Sequence, residues 1–306
     1  MPEPILPRNY RSPLNDSRLV NLAFRRIQKA NTETARWLLG RFRQIPYNKY
    51  QVENNAQEET VVDGTTIITA NVTRYEYLID VGTLEDIIRE FRQKYRQSFG
   101  DAVVAEAVQG YEAGTANAVT NLSGLTDDYK RTIQSVFVGQ PYQSRVAFVR
   151  SRVFELMQGF QGEAAAELSR VLGDVVENGF SVSKAMKMIR SSFESDKVRA
   201  ERIARTEITG ALRRGRWDEA QDAQERLGVR TKLLHLSALL ETSRHNHISR
   251  HGDVFTIGEV REWYSIGANA INCRCSQVEV LVDENGKPIS DRSIKKALEV
   301  KKRLGF

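Results

Sequence analysis

The sequence has few cysteines and no long apolar run, and both shortages restrict what the protein can be. Two cysteines in 306 residues are too few for a disulfide framework, so we expect thiols or metal ligands in a reducing compartment. No apolar run approaches the roughly 18 residues that a membrane span requires. Residues Met1 to Tyr10 carry no apolar stretch that resembles a signal peptide. We therefore expect synthesis in the cytoplasm and no membrane anchor.

Common catalytic signatures are also missing from the sequence. It contains no Gly-x-Ser-x-Gly elbow, no P-loop and no Gly-x-Gly-x-x-Gly run. Internal repeats and low-complexity tracts are missing too, which excludes a solenoid. We therefore predict that the protein is not an enzyme.

Basic charge is concentrated at both ends of the chain, although the net charge is only +6. Residues 1–50 contribute +7, residues 51–150 contribute −5 and the remainder contributes +4. Between Lys287 and Arg303, seven basic residues stand against two acidic ones. Such ends suit phosphate or an acidic protein surface, but a solvated helix face and a loose tail explain the same charge without any ligand.

The hydrophobic pattern of the first half predicts helices and one β-hairpin. Apolar residues recur at three- and four-residue steps from about Asn15 to Arg43, which indicates an amphipathic helix. A β-branched run from Val61 to Ile68 is broken by Asp63-Gly64, a pair typical of hairpin turns. A helix follows from about Thr83, with predicted breaks at 98–101, 122–126 and 139–141.

The second half predicts bundle helices followed by a small sheet. The helices are expected at 146–160, 164–178 with Gly179 as C-cap, 181–193 and 195–227. Strand composition follows at Val229–Ser237 and Ile271–Val282. We predict a predominantly α-helical α+β fold with a β-hairpin in a domain of residues 1–145, a small antiparallel sheet in a domain of residues 146–285, and a basic tail of residues 286–306.

Histidine and cysteine are confined to one window, because all four histidines and both cysteines lie between His235 and Cys275. His247 and His251 would share one side of a helical turn, and Cys273 and Cys275 would share one face of a strand. Together they would complete a closed Cys2His2 site for one structural Zn²⁺. A packed or hydrogen-bonded cluster without metal remains open, since the Cys-x-Cys spacing is one residue shorter than the common knuckle.

The tripeptide His245-Asn246-His247 suggests a second function. In HNH endonucleases that name refers to residues dispersed over a ββα-metal unit, so the literal run is weak evidence. The alternative to a structural role is a metal-dependent HNH-like endonuclease that uses His245, His247 and His251. Such an enzyme needs an open metal position, which the cysteine pair would fill.

Three ordered blocks in the second half carry a resemblance to a known family. They are Gly179-Phe180-Ser181 with Arg202–Glu207, then Glu241–Arg244 with His247 and His251-Gly252, and finally Asn272–Cys275. Over about residues 145–285 the sequence resembles the phage Mu F-like minor head proteins, which include the SPP1 head-morphogenesis type. The signature residues of these blocks are Arg205, Thr206, Glu207, Glu241, Arg244, Gly252 and Asn272. Since Arg205 and Glu207 do not face each other on a helix, we favour a structural clamp over a DNA contact for this motif.

The resemblance implies a minor virion protein inside the head near the portal vertex, made in the host cytoplasm, that aids head assembly and DNA packaging or ejection. Its implied partners are the portal protein and double-stranded DNA bound without sequence specificity, with the major capsid or a scaffolding protein as further candidates. The basic residues expected to contact DNA or portal are Arg25, Arg26, Arg36, Arg41, Arg43, Lys295, Lys296, Lys301, Lys302 and Arg303. A plain core helix explains the first five equally well.

Overall fold

A computed structural model describes residues 16–44, 48–53, 59–62, 65–68, 73–78, 81–131, 136–137, 139–177 and 182–306. Helices dominate and a small antiparallel sheet lies near the carboxyl end, so the predicted class, predominantly helical α+β, is confirmed. The chain divides into two compact units. Unit 1 comprises Met1–Lys29, Phe99–Met157 and Arg199–Phe306, and unit 2 comprises Ala30–Ser98 and Gln158–Val198. The sequence analysis instead divides the chain into consecutive segments at residues 145 and 285, and that division stays a prediction.

The first helix and the hairpin form where the sequence places them. Helix α1 spans Asp16–Arg43. Strands β2 (Glu59–Val62) and β3 (Thr65–Ile68) pair antiparallel with Val62 opposite Thr65, and the predicted Asp-Gly turn between them lies outside the described residues. A second antiparallel pair, β1 (Asn48–Glu53) with β4 (Thr73–Leu78), is not predicted by the sequence reading.

Aromatic packing builds the core of unit 2 around helix α2 (Val81–Tyr95). The rings of Phe91 and Tyr95 stack at 5.2 Å between centroids, and Phe160 lies 5.9 Å from Tyr95. On the surface, Arg41 donates to both carboxylate oxygens of Glu90 at 2.8 Å. Apolar burial therefore holds the interior of this unit, and bidentate ion pairs such as Arg41–Glu90 lie on its surface.

Two long helices replace four shorter predicted ones. After a π turn (Arg96–Gly100), the chain forms α3 (Asp101–Leu125), the short α4 (Asp127–Lys130), α5 (Gln140–Glu177) and α6 (Val182–Leu227). The predicted breaks near residues 161 and 194 are wrong. No proline occurs between Pro141 and Pro288, and without proline a helix continues through glycine or serine at a cost of only about 1 kcal/mol per residue. The predicted C-cap Gly179 lies outside the described residues.

Helices α3 and α6 approach each other so closely that their contact requires glycine. A Cβ atom on Gly110 would lie 2.9 Å from the carbonyl oxygen of Ile208. A Cβ atom on Gly114 would clash with the backbone of Leu212, and one on Gly215 with the backbone of Tyr111. Glycine at these three positions lets the two backbones touch, which fixes where α6 lies within unit 1.

A three-stranded sheet in the order β6-β5-β7 is covered on both faces. Strands β5 (Thr231–Leu236), β6 (Val254–Phe255) and β7 (Ser276–Leu281) are antiparallel. Leu233 packs with Trp217 of α6 and with residues of α8 (Ile257–Ser265). On the other face, Leu234 and Leu236 pack with Ala297 of α9 (Arg292–Arg303).

The predicted basic tail therefore contains a helix, α9, that covers the sheet. None of the helices in the described part of the chain combines the length and the hydropathy needed to span a membrane.

Candidate functional site

Three of the four predicted metal ligands lie together in unit 1. His247 Nδ1 is 3.3 Å from Cys275 Sγ and 3.5 Å from Cys273 Sγ. All three side chains are buried, and their ligand atoms lie within 4.8 Å of one another. This thiol–imidazole cluster joins a short helix to the loop that leads into β7.

The fourth predicted ligand, His251, lies outside the cluster. Its Nδ1 accepts a hydrogen bond from the Ser237 amide at 3.0 Å, and its Nε2 lies 3.1 Å from the carbonyl oxygen of Ala297. Both ring nitrogens are thus engaged in holding α9 and the end of β5. The helical spacing fails because α7 (His245–Ser249) ends before His251, and Gly252 turns the chain at a φ of +95°.

The other two histidines are also separate from the cluster. His235 is buried in β5, where Nδ1 accepts from the amide of Gln277 at 3.3 Å, and burial lowers its pKa to about 3. His245, at the start of α7, is exposed. The described residues therefore do not bring His245, His247 and His251 to one point.

Residues of helix α6 hydrogen-bond to several residues of the cysteine loop (Ala270–Cys275). Thr206 Oγ1 accepts the Asn272 amide at 2.9 Å, and Arg205 donates to the side-chain oxygen of Asn272 at 3.3 Å. Two turns further on, the buried Arg213 donates long hydrogen bonds to the carbonyl oxygens of Cys273 at 3.5 Å and Cys275 at 3.4 Å. The cysteines lie in this loop before β7, not on the strand as predicted, and α6 is what places them.

A left-handed backbone conformation and a third arginine shape the same loop. Asn272 has a φ of +52°, a left-handed conformation that asparagine tolerates better than most residues. Arg244, just before α7, donates to the carbonyl oxygens of Asn269 at 3.2 Å and Ile271 at 3.1 Å and also to that of Ala268. These bonds tie the cysteine loop to the residue that begins α7, and so to His247.

Next to the loop, a buried charge network links three elements. Arg216 of α6 donates to both carboxylate oxygens of Glu279 in β7, at 3.1 and 2.7 Å. Asn121 of α3 donates to the side chain of Glu279 at 2.8 Å and to its carbonyl oxygen at 3.0 Å. The charged pair is almost fully buried, at 5% and 0% side-chain exposure, so its geometry and extra hydrogen bonds must offset desolvation.

The electrostatics of the cluster favour one thiolate. The hydrogen bond from Cys275, the nearby Arg213 guanidinium and a contact with His247 lower the pKa of Cys273. The same sulfur–sulfur hydrogen bond, together with burial, raises the pKa of Cys275. These two shifts favour ionisation of Cys273 over Cys275. The buried Arg213 guanidinium lies over the Tyr264 ring, 4.3 Å from its centroid.

The cluster also lines a pocket of about 130 Å³. The remaining lining is mostly polar or basic and comes from Ala238, Leu240, Thr242, Ser243, Arg244, Asn272 and Arg274. The residues of the cluster therefore line a space that can admit water.

The remaining signature residues have separate roles. Glu207 is buried and pairs with Arg152 at 3.5 Å. Gly252 packs so closely on Leu298 of α9 that a Cβ there would lie 2.6 Å from a methyl carbon. Glu241 is exposed, and it is not among the residues that line the pocket.

Among the predicted DNA- or portal-contact residues, some already pair within the chain. Arg26 binds Glu106 at 2.9 Å, Arg41 binds Glu90, and Lys295 binds Asp291 at 2.7 Å. Four others are exposed in the described helices, namely Arg25, Arg36, Arg43 and Lys296. At the end of α9, Lys302 and Arg303 are exposed and Lys301 is partly so.

The sequence reading missed Arg213, Asn121, Arg216 and Glu279. On sequence alone, charges on a long helix look like a solvated face. One signal was available, because Glu279 interrupts the apolar run Val278-Glu279-Val280 of a strand whose residues are buried on both faces.

The fold and the site together define a predominantly helical α+β protein. Its long helices hold a small sheet and a buried thiol–imidazole cluster. Residues 166–278, which contain that cluster, match the family model described as Phage Mu protein F like protein. The resemblance predicted from the sequence is thereby confirmed over this segment, which is similar to the Mu F-like proteins of phage head morphogenesis. No curated protein and no solved structure matches the chain.

Proposed function

We propose that this protein is a minor component of the phage virion that acts in head assembly next to the portal. The observation that carries the proposal is the family match over residues 166–278. The contacts within that segment support it, because α6 is hydrogen-bonded to the cysteine loop at Thr206 and Arg213 and is joined to β7 by the buried Arg216–Glu279 ion pair. Such contacts suit a rigid structural part.

A structural role agrees with the arrangement of the histidines. An HNH-like nuclease built on His245, His247 and His251 would need these side chains to converge on one ion. In the described structure His245 is exposed, His247 contacts two cysteines, and His251 bonds to two backbone groups. Mu F-like head proteins are structural rather than enzymatic. The nuclease therefore has no supporting geometry here.

Sequence-independent contact with packaged DNA is the finer part of the proposal. Helix α9 buries Ala297 against the sheet, and its exposed residues include Lys295, Lys296, Lys302 and Arg303. Its last turn holds Lys301, Lys302 and Arg303. Each lysine or arginine that neutralises a phosphate adds affinity without reading the sequence.

Gene disruption in the encoding phage tests the role in assembly. We expect the protein to be present in purified heads, and we expect disruption to reduce the number of DNA-filled heads seen by electron microscopy. Complementation with the wild-type gene should restore them, and so should the matched control His245→Ala, which alters an exposed histidine outside the cluster. Heads that lack the protein and form in normal number after disruption would refute the proposal.

A further inference from the structure

We propose that His247, Cys273 and Cys275 bind one zinc ion whose fourth coordination position opens into the pocket of about 130 Å³ beside them. This site differs from the closed Cys2His2 set that the sequence suggests, because His251 does not take part. It is also independent of the proposed role in head assembly.

The spacing of the ligand atoms fits a tetrahedral ion. Zinc binds thiolate sulfur at about 2.3 Å and imidazole nitrogen at about 2.0 to 2.1 Å, so a tetrahedral site places nitrogen and sulfur about 3.5 Å apart. The two distances from His247 Nδ1 to the sulfurs are 3.3 and 3.5 Å. Both nitrogen–sulfur distances therefore match the edge length of such a tetrahedron.

Groups around the ligands hold them in this orientation. The Cys275 amide donates to Cys273 Sγ at 3.3 Å, and the Tyr264 hydroxyl lies 3.6 Å from the same sulfur. Arg213 bonds the carbonyl oxygens of both cysteines, and the His247 ring meets Trp263 edge to face at 4.7 Å between centroids. Such outer contacts fix metal ligands before the ion arrives.

The fourth position is open because the described residues offer no fourth ligand there. His251 uses both ring nitrogens elsewhere. Among the described residues, the pocket lining contains no histidine, cysteine, aspartate or glutamate beyond the three ligands. Zinc sites with three protein ligands complete their coordination with water, and this pocket has room for it.

Metal titration of the full-length protein tests the proposal without any variant. The chain is stripped with a chelator, and Zn²⁺ is then added in competition with a chromophoric chelator. We expect about one zinc per chain, and Co²⁺ in its place should give the charge-transfer absorption of thiolate ligands. Less than about 0.2 zinc per chain, or Co²⁺ spectra without thiolate absorption, would overturn the site.

The open position has its own test. Azide or imidazole added to the Co²⁺ form should shift the visible bands, because it replaces the bound water. Unshifted bands at saturating azide and imidazole would show a closed site and overturn this part of the proposal.

Variants then identify the ligands. His247→Ala should weaken zinc binding more than the roughly 10- to 100-fold that loss of an outer-shell group costs, whereas His251→Gln should leave it unchanged. Zinc affinity unchanged in His247→Ala, or lost in a folded His251→Gln, would contradict the assignment. Circular dichroism establishes that each variant is folded. If a variant is unfolded, the titration of the wild-type protein alone tests whether the site binds zinc.

Discussion

Charged residues serve opposite purposes in two regions of unit 1. Around α6 and β7 they are buried and paired, as in the Arg216–Glu279 pair that Asn121 completes. On the last turn of α9 they are largely exposed and lie together without intervening acid. Buried charges must find fixed partners to offset desolvation, while exposed charges stay hydrated and available.

The contrast separates what holds the fold from what can bind a partner. Substitutions in the buried charge network of Asn121, Arg216 and Glu279 should act on stability, and those on the basic end of α9 should act on association. Four predictions test this separation.

The largest effect should come from breaking the buried pair. Arg216→Met leaves the Glu279 carboxylate buried without its main partner and should lower the free energy of unfolding by about 3 to 5 kcal/mol. Chemical denaturation monitored by tryptophan fluorescence measures the loss. The double variant Arg216→Met/Glu279→Met should recover part of it, because no lone charge then remains. If Arg216→Met lowers the free energy of unfolding by less than about 1 kcal/mol, the pair contributes no more than a surface ion pair. The contrast between buried and exposed charges would then be lost.

Lowering the pH should destabilise the folded protein through His235 of β5. Its folded pKa of about 3 lies below the unfolded value near 6.5, so the unfolded state binds more protons as pH falls. Stability is full above about pH 6.5 and should be lower by about 2 kcal/mol at pH 5. In His235→Gln, whose side-chain oxygen still accepts from Gln277, denaturation midpoints should depend less on pH between 7 and 5. Identical pH profiles for the two proteins would count against a buried neutral histidine.

Neutralising the end of α9 should weaken DNA binding and leave stability intact. For Lys301→Gln/Lys302→Gln/Arg303→Gln we expect at least a tenfold loss of affinity for duplex DNA, about 1.4 kcal/mol. The slope of log affinity against log salt should fall by up to about 0.9 per lost contact. Fluorescence anisotropy measures both. The matched control replaces Arg89, Arg131 and Arg170, which are exposed but paired along their own helices. Equal losses in both variants would show that total charge, not α9, matters.

Glu207→Gln should have the smallest effect. Its partner Arg152 is 45% exposed and lies 3.5 Å away, so the pair should contribute only about 0 to 1 kcal/mol. The yield of folded protein should fall slightly and DNA affinity should not change. A folded variant that no longer binds DNA would instead make this glutamate part of a binding surface.

Strong local patterns predicted local structure well. The three- and four-residue apolar steps of α1 and the Asp-Gly pair between β2 and β3 specify their elements without help from the rest of the chain. The join of two predicted helices into α6 was missed because serine and aspartate near residue 195 resemble a break. In a long helix, tertiary packing overrides such weak propensities.

Long-range partners were predicted only in part. The cysteines and His247 were singled out by their residue type, and the structure brings them together. His251 was added because four-residue spacing implies a shared helical face, but α7 stops at Ser249. Nothing local to Arg213 or Arg216 reveals that residues some 60 positions away accept their hydrogen bonds.

Amide hydrogen exchange at Asn272 tests most directly the central claim that α6 holds the cysteine loop in position. Asn272 is exposed and lies outside any regular element, yet its amide donates to Thr206 Oγ1 at 2.9 Å. We expect it to exchange far more slowly than an unprotected peptide amide, and Thr206→Val to abolish that protection while β7 remains protected. Exchange of Asn272 at the unprotected rate in the wild-type protein would contradict the account.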